Sequence, residues 1–124
     1  MGLNEVRVGL AVPSTILQAL SDLIGPRNAR RLAGSGSMVE MDEALRLGMV
    51  DELVAGEMVI ARALAWCEEM TALPPIAMNQ TRRLAKADFV ARLAAADDAS
   101  TATEFWFSEE TQAAMQALVE RLRG

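Results

Sequence analysis

Residues 2–13 read GLNEVRVGLAVP, and the fold turns on how this stretch is read. Val6, Val8 and Leu10 alternate with Arg7 and Gly9, the period of two expected of extended chain. Pro13 ends the run, and the Ser14 hydroxyl offers a cap for a helix beyond it. A lone edge of sheet is not stable in water, so an extended segment here needs strands that the following sequence does not supply.

Outward from that stretch the pattern turns helical. Ile16, Leu17, Leu20, Leu23 and Ile24 recur at helical spacing. Gly25 and Pro26 then read as a stop and a restart, since Gly tolerates a helix end and Pro suits a first turn. The second helix carries Arg27, Ala29, Arg30 and Leu32, and GSGS at 34–37 reads as a loop. MDEALRLG at 41–48 predicts a short helix closed by Gly48, and VDELV at 50–54 predicts a short strand. A helix follows over 57–72, broken by Pro74 and Pro75. Pro75 opens another, with Arg82, Arg83 and Lys86 on its polar side. Two last helices are expected over roughly 88–106 and 109–123, the latter capped by Ser108 with Glu109 and Glu110 in its favourable first turn. The predicted class is mainly α with a short β element at the N-terminus.

The totals bound what such a chain can do. Its 124 residues are enough for one domain. Hydrophobic residues make up 52% and aromatics only 4%, a mix of Ala, Leu, Val and Met that favours helices. So much apolar content in a small chain implies burial against another chain. The net charge of −5 argues against nonspecific nucleic-acid binding, which depends on clustered Lys and Arg. There is no His, so His triads and His metal sites are excluded, no metal ligand set is assigned, and a general base would be a carboxylate or, less plausibly, a Lys. Cys67, the single cysteine, cannot form an internal disulfide and reads as a buried small hydrophobe beside Trp66. No stretch reaches the length of a membrane span and residues 1–24 lack the pattern of a signal peptide, so the expected setting is cytoplasmic, with no membrane partner.

Four stretches, in order and at matching spacing, carry a resemblance: GLNEVRVGLAVP at 2–13, IGPRNARRL at 24–32, MDEALRLGMVDELV at 41–54, and the Pro-Pro-initiated helix with its Thr-Arg-Arg-Leu-x-Lys run at 81–86. With the closing Ser-Glu-Glu-Thr helix, they resemble the C-terminal half of the crotonase (enoyl-CoA hydratase/isomerase) superfamily over nearly the whole chain. Asn4-Glu5 followed by GLAVP looks most like the Δ3,Δ2-enoyl-CoA isomerases. Hydratases tend to have a Gly-rich turn where Ser14, Thr15 and Ile16 stand here.

The resemblance implies the C-terminal part of a ββα-spiral fold, with residues 1–54 belonging to its core and 55–124 forming a helical oligomerisation region. It implies that Glu5 is the base moving a proton between C2 and C4 of a 3-enoyl-CoA to give the 2-trans-enoyl thioester. No cofactor is called for; a coenzyme A thioester is the substrate. It implies substrate-binding roles for Leu3, Asn4 and Leu10, and for Arg82, Arg83 and Lys86, the last three near the CoA nucleotide.

The chemistry suits a single carboxylate. A carboxylate in an apolar pocket can accept and return a proton, while two backbone N–H groups stabilise the enolate oxygen. In the family, both N–H groups and most of the cleft come from the N-terminal half, and the Gly-x-x-Glu element here begins at Gly2. Removing one such donor typically costs about 2.7–4 kcal/mol of barrier, so the chain alone is expected to be inactive. The alternative is a non-catalytic, truncated crotonase-fold protein persisting as a helical homo-oligomer, trimer or dimer-based, that binds an acyl-CoA or another hydrophobic ligand.

Plainer readings stand beside these. Glu5, Arg82, Arg83 and Lys86 can each be solvated surface charges, as can Arg27, Arg30 and Arg31 on their helix, for which a phosphate contact is the other reading. Phe105, Trp106 and Phe107 read as core or interface, with a ligand role as the other reading.

Overall fold

Helices set by local sequence chemistry surround one small core. The structure, a computed structural model, describes residues 1–96 and 99–123. Helix α1 spans Ser14–Ile24 and α2 spans Pro26–Ser35, with Pro26 at the first turn of the second. Gly25 joins them at φ 80° and ψ 151°, a conformation open essentially only to Gly. The joint lets Leu20 and Ile24 of α1 pack on Ala29, Leu32 and Ala33 of α2. Leu3, Val12, Leu17, Val39, Leu47 and Met49 close around that cluster. Helix α3, Met41–Leu47, ends at Gly48 as expected and buries Ala44.

The N-terminal β element is not formed. Glu5–Val8 coils into a 3-10 helix, the Glu5 turn, which ends at Gly9 with φ 76°. No strand occurs among the described residues, and the physical reason is the one the sequence raised: nothing pairs with the segment. All that remains of pairing is one rung, in which Met1 and Val39 exchange backbone hydrogen bonds of 2.7 and 2.8 Å. The strand expected at 50–54 is irregular chain for the same reason.

The C-terminal helices depart in detail. Gly56–Met58 forms a 3-10 turn that leads into α4, Val59–Thr71. Helix α5 runs unbroken over Pro75–Ala95, through the boundary expected near 88. Helix α6 covers Ala99–Trp106 and α7 covers Glu109–Arg123; residues 97 and 98 of the expected 88–106 helix lie outside the described set. Ser108 caps α7, its Oγ accepting from the Thr111 N–H at 3.2 Å. Ser14 does not cap α1; its hydroxyl donates to the Ala96 carbonyl at 2.9 Å and ties the end of α5 to the start of α1. Arg92 and Asp22, paired at 2.5 Å, reinforce that junction.

Candidate functional site

Two helices, α2 and α7, converge on the Glu5 turn. Its backbone closes on itself: Arg7 N–H donates to Asn4 O at 3.0 Å and Leu10 N–H to Glu5 O at 3.0 Å. One wall is the end of α2, where a Cβ on Gly36 would meet Val6 and Arg7 side-chain atoms at 2.9 and 2.8 Å. The other wall is α7. A Cβ on Gly9 would lie 2.9 Å from the Ala114 Cβ and 3.1 Å from the Thr111 Cα, so only Gly lets the helix approach this closely. Thr111 is fully buried here, and its hydroxyl donates to the Gly9 carbonyl.

Inside this turn Glu5 is partly buried, and its Oε2 is shut off from water without a hydrogen-bond partner. Leaving a buried carboxylate oxygen unpaired is costly and uncommon in native structures, and a catalytic role is one of the reasons such a group is kept. Chemically the atom is an acceptor with nothing to accept from. Leu3 and Leu10, on either side of Glu5 in the sequence, are both half-buried, Leu3 against the α1–α2 core, whereas Asn4 is exposed and makes no side-chain cap.

The remaining sequence-predicted residues lie elsewhere. Arg82, Arg83 and Lys86 are exposed on α5, which packs on α1, while the Glu5 turn packs on α2 and α7. Arg83 turns back to Gln80 Oε1 at 2.9 Å. Arg27, Arg30 and Arg31 line the solvent face of α2, opposite its buried Ala29, Leu32 and Ala33. Phe105, Trp106 and Phe107 are exposed, with Phe107 at 71%, so they form no core within the chain. Cys67 is exposed rather than buried, as α4 contains no buried residue.

One feature was not anticipated. Between residues 49–54 and α4 lies an open apolar groove of about 760 Å³, lined by Met41, Met49, Leu53, Val59 and Trp66 among others. Arg62 spans it, paired to Glu52 at 2.6 Å and to Glu69 at 3.3 Å. The Arg62–Glu69 spacing of two helical turns was a visible signal; the Glu52 contact, across a bend in the chain, was not. Among the described residues no group of His, Cys, Asp or Glu is arranged to hold a metal ion, and no helix is long and apolar enough to cross a membrane.

Comparison with known proteins bears on this geometry. Residues 1–124 match the family described as enoyl-CoA hydratase/isomerase. The chain is 30% identical over 125 residues to human mitochondrial enoyl-CoA delta isomerase 1, covering 99% of this chain and 41% of that protein. It is 34% identical over 77 residues to a probable enoyl-CoA hydratase, EchA17, of Mycobacterium bovis, covering 62% of this chain and 30% of the relative. The crystal structure of human mitochondrial delta3-delta2-enoyl-CoA isomerase superimposes with a TM-score of 0.86 at 30% identity, over 99% of this chain and 48% of that one. Carnitinyl-CoA hydratase from Mycobacterium avium shares the fold, with a TM-score of 0.78 at 24% identity over 97% of this chain and 48% of that one. The chain thus spans less than half the length of the relatives it matches.

Proposed function

The chain belongs to the enoyl-CoA hydratase/isomerase family, and from that premise we propose that it contributes the base, Glu5, of a Δ3,Δ2-enoyl-CoA isomerase. The observation that carries the reading is the Glu5 Oε2: a carboxylate oxygen buried without a partner, at the family position of a Gly-x-x-Glu element. Glu5 takes the proton from C2 of a 3-enoyl-CoA and returns it at C4, giving the 2-trans-enoyl thioester. Leu3 and Leu10 supply the apolar flank beside the acyl chain, and no cofactor takes part. The enolate oxygen needs N–H donors, which the resemblance places in the part of the relatives that these residues do not cover.

The 124 residues on their own are therefore expected to give no 3-enoyl-CoA isomerisation above the uncatalysed rate. The test is a spectrophotometric assay of the chain and of Glu5→Gln side by side. Turnover by the chain that Glu5→Gln abolishes would establish Glu5 as the base and sink the claim of incompleteness. Turnover equal in both would sink the assignment of Glu5.

A second reading has its own support. Neither α4 nor α5 contains a buried residue, and their apolar side chains are left facing solvent. That surface fits a helical homo-oligomer in which these helices meet other copies, with or without an acyl-CoA bound. In that assembly Arg82, Arg83 and Lys86 remain available to the phosphates of a CoA ligand, and titration with an acyl-CoA reads this directly.

A further inference from the structure

We infer that Thr111 is a positioning residue for Glu5, acting through the peptide unit that joins Gly9 to Leu10. The inference rests on the reading of Glu5 as the base and adds a residue 102 positions from the Gly9 carbonyl it grips. A trans peptide is rigid and its C=O and N–H point opposite ways. In this unit the Leu10 N–H donates to the Glu5 carbonyl at 3.0 Å, and the Gly9 C=O accepts from the Thr111 hydroxyl. One plane is thus pinned at one edge by the backbone of Glu5 and at the other by Thr111. Turning it breaks one bond or the other, so holding the carbonyl holds the turn that carries the Glu5 carboxylate.

The clamp is itself fixed. Thr111 is 1% exposed, so its hydroxyl has no water to turn to. Ser108 Oγ donates to Thr111 Oγ1 at 3.0 Å while accepting the Thr111 N–H at 3.2 Å, which orients the Thr111 proton toward Gly9. Helix α7 cannot slide past the turn, because Ala114 and Thr111 already fill the space a Gly9 Cβ would need. The C-terminal helix thus reaches the base through its first turn.

Amide hydrogen exchange of the full chain by NMR tests this, together with the carbon-13 signal of the Glu5 side-chain carboxyl, assigned by its loss in Glu5→Gln. In Thr111→Val the hydroxyl is lost and shape is kept. Exchange at the Leu10 amide is expected to quicken about tenfold, the worth of one hydrogen bond, with the Leu32 amide in the core of α2 unchanged. The Glu5 carboxyl signal is expected to move, and Thr111→Ser to restore both. If Thr111→Val does not fold, Ser108→Ala removes the donor to Thr111 together with the cap of α7, leaves the Thr111 hydroxyl in place, and is expected to act at the same amide more weakly. An unchanged Leu10 amide in the folded variant, equal quickening at Leu32, or a stationary Glu5 signal overturns the assignment. These readouts need no catalysis, so they fail separately from the assay of Glu5→Gln.

Discussion

Gly9 shows how much of the site depends on a single backbone position. At φ 76° it lies where a side chain costs roughly 1–2 kcal/mol, and its neighbours leave a Cβ no room. The clash is with the Thr111 backbone and the Ala114 Cβ, neither of which is a flexible side-chain end. Gly9→Ala is therefore expected to destabilise by more than the conformational cost alone, about 2–4 kcal/mol with overpacking included. Denaturant unfolding measures it, and a loss under about 0.5 kcal/mol, the scale of a neutral surface substitution, would show that α7 does not rest on the turn. Glu5 is singled out by the sequence, through Gly2, Leu3 and Asn4 before it, and its proposed role as the base rests on that resemblance and on its unpartnered Oε2. Thr111 is not singled out. It reads as one more residue in the first turn of a capped helix, and only the folded chain brings its hydroxyl to a carbonyl 102 residues away.

Elements whose ends are set by local chemistry were equally legible. Pro26 opens α2, Gly48 closes α3 and Ser108 caps α7, each where the sequence places it. The failures share a cause. Residues 5–8 and 50–54 alternate as strands do, but alternation specifies a strand only where a partner completes the ladder, and without one the first segment coils into a turn. Within α3, Glu43 and Arg46 form a two-bond pair at 2.6 Å, which holds the Glu43 carboxyl below its ordinary value of 4.5. A carboxyl with a depressed folded pKa stabilises the fold above its unfolded value and ceases to do so as pH falls through the folded one. The stability difference between the chain and Glu43→Gln is expected to be small, flat from neutral pH down to the ordinary carboxylate range, and to vanish on further acidification. Paired denaturation curves across that range decide it. A difference that grows on acidification, or one indifferent to added salt, would contradict the assignment for a pair this exposed.

At the scale of the molecule, the apolar content finds no home within one chain. The core joins α1, α2 and the segments around them, and nothing between residues 51 and 95 is buried. Ile60 and Ile76 are 75% and 86% exposed, and Leu84 65%, on helices whose ion pairs to the body, Arg62–Glu52 and Arg92–Asp22, lie toward one end of each helix. Water penalises such surface at roughly 25 cal/mol per Å², a cost that covering the helices with further copies would remove. The expected behaviour is concentration-dependent association, read by sedimentation or light scattering. Ile60→Glu and Ile76→Glu discriminate the cause. Neither side chain belongs to the core, so helicity by circular dichroism should stay constant while the assembly shifts toward monomer. Substitutions that left the assembly intact would move the contact off these helices. A monomeric parent chain at high concentration would remove the homo-oligomer reading outright, leaving the exposed faces of α4 and α5 to a partner other than a second copy.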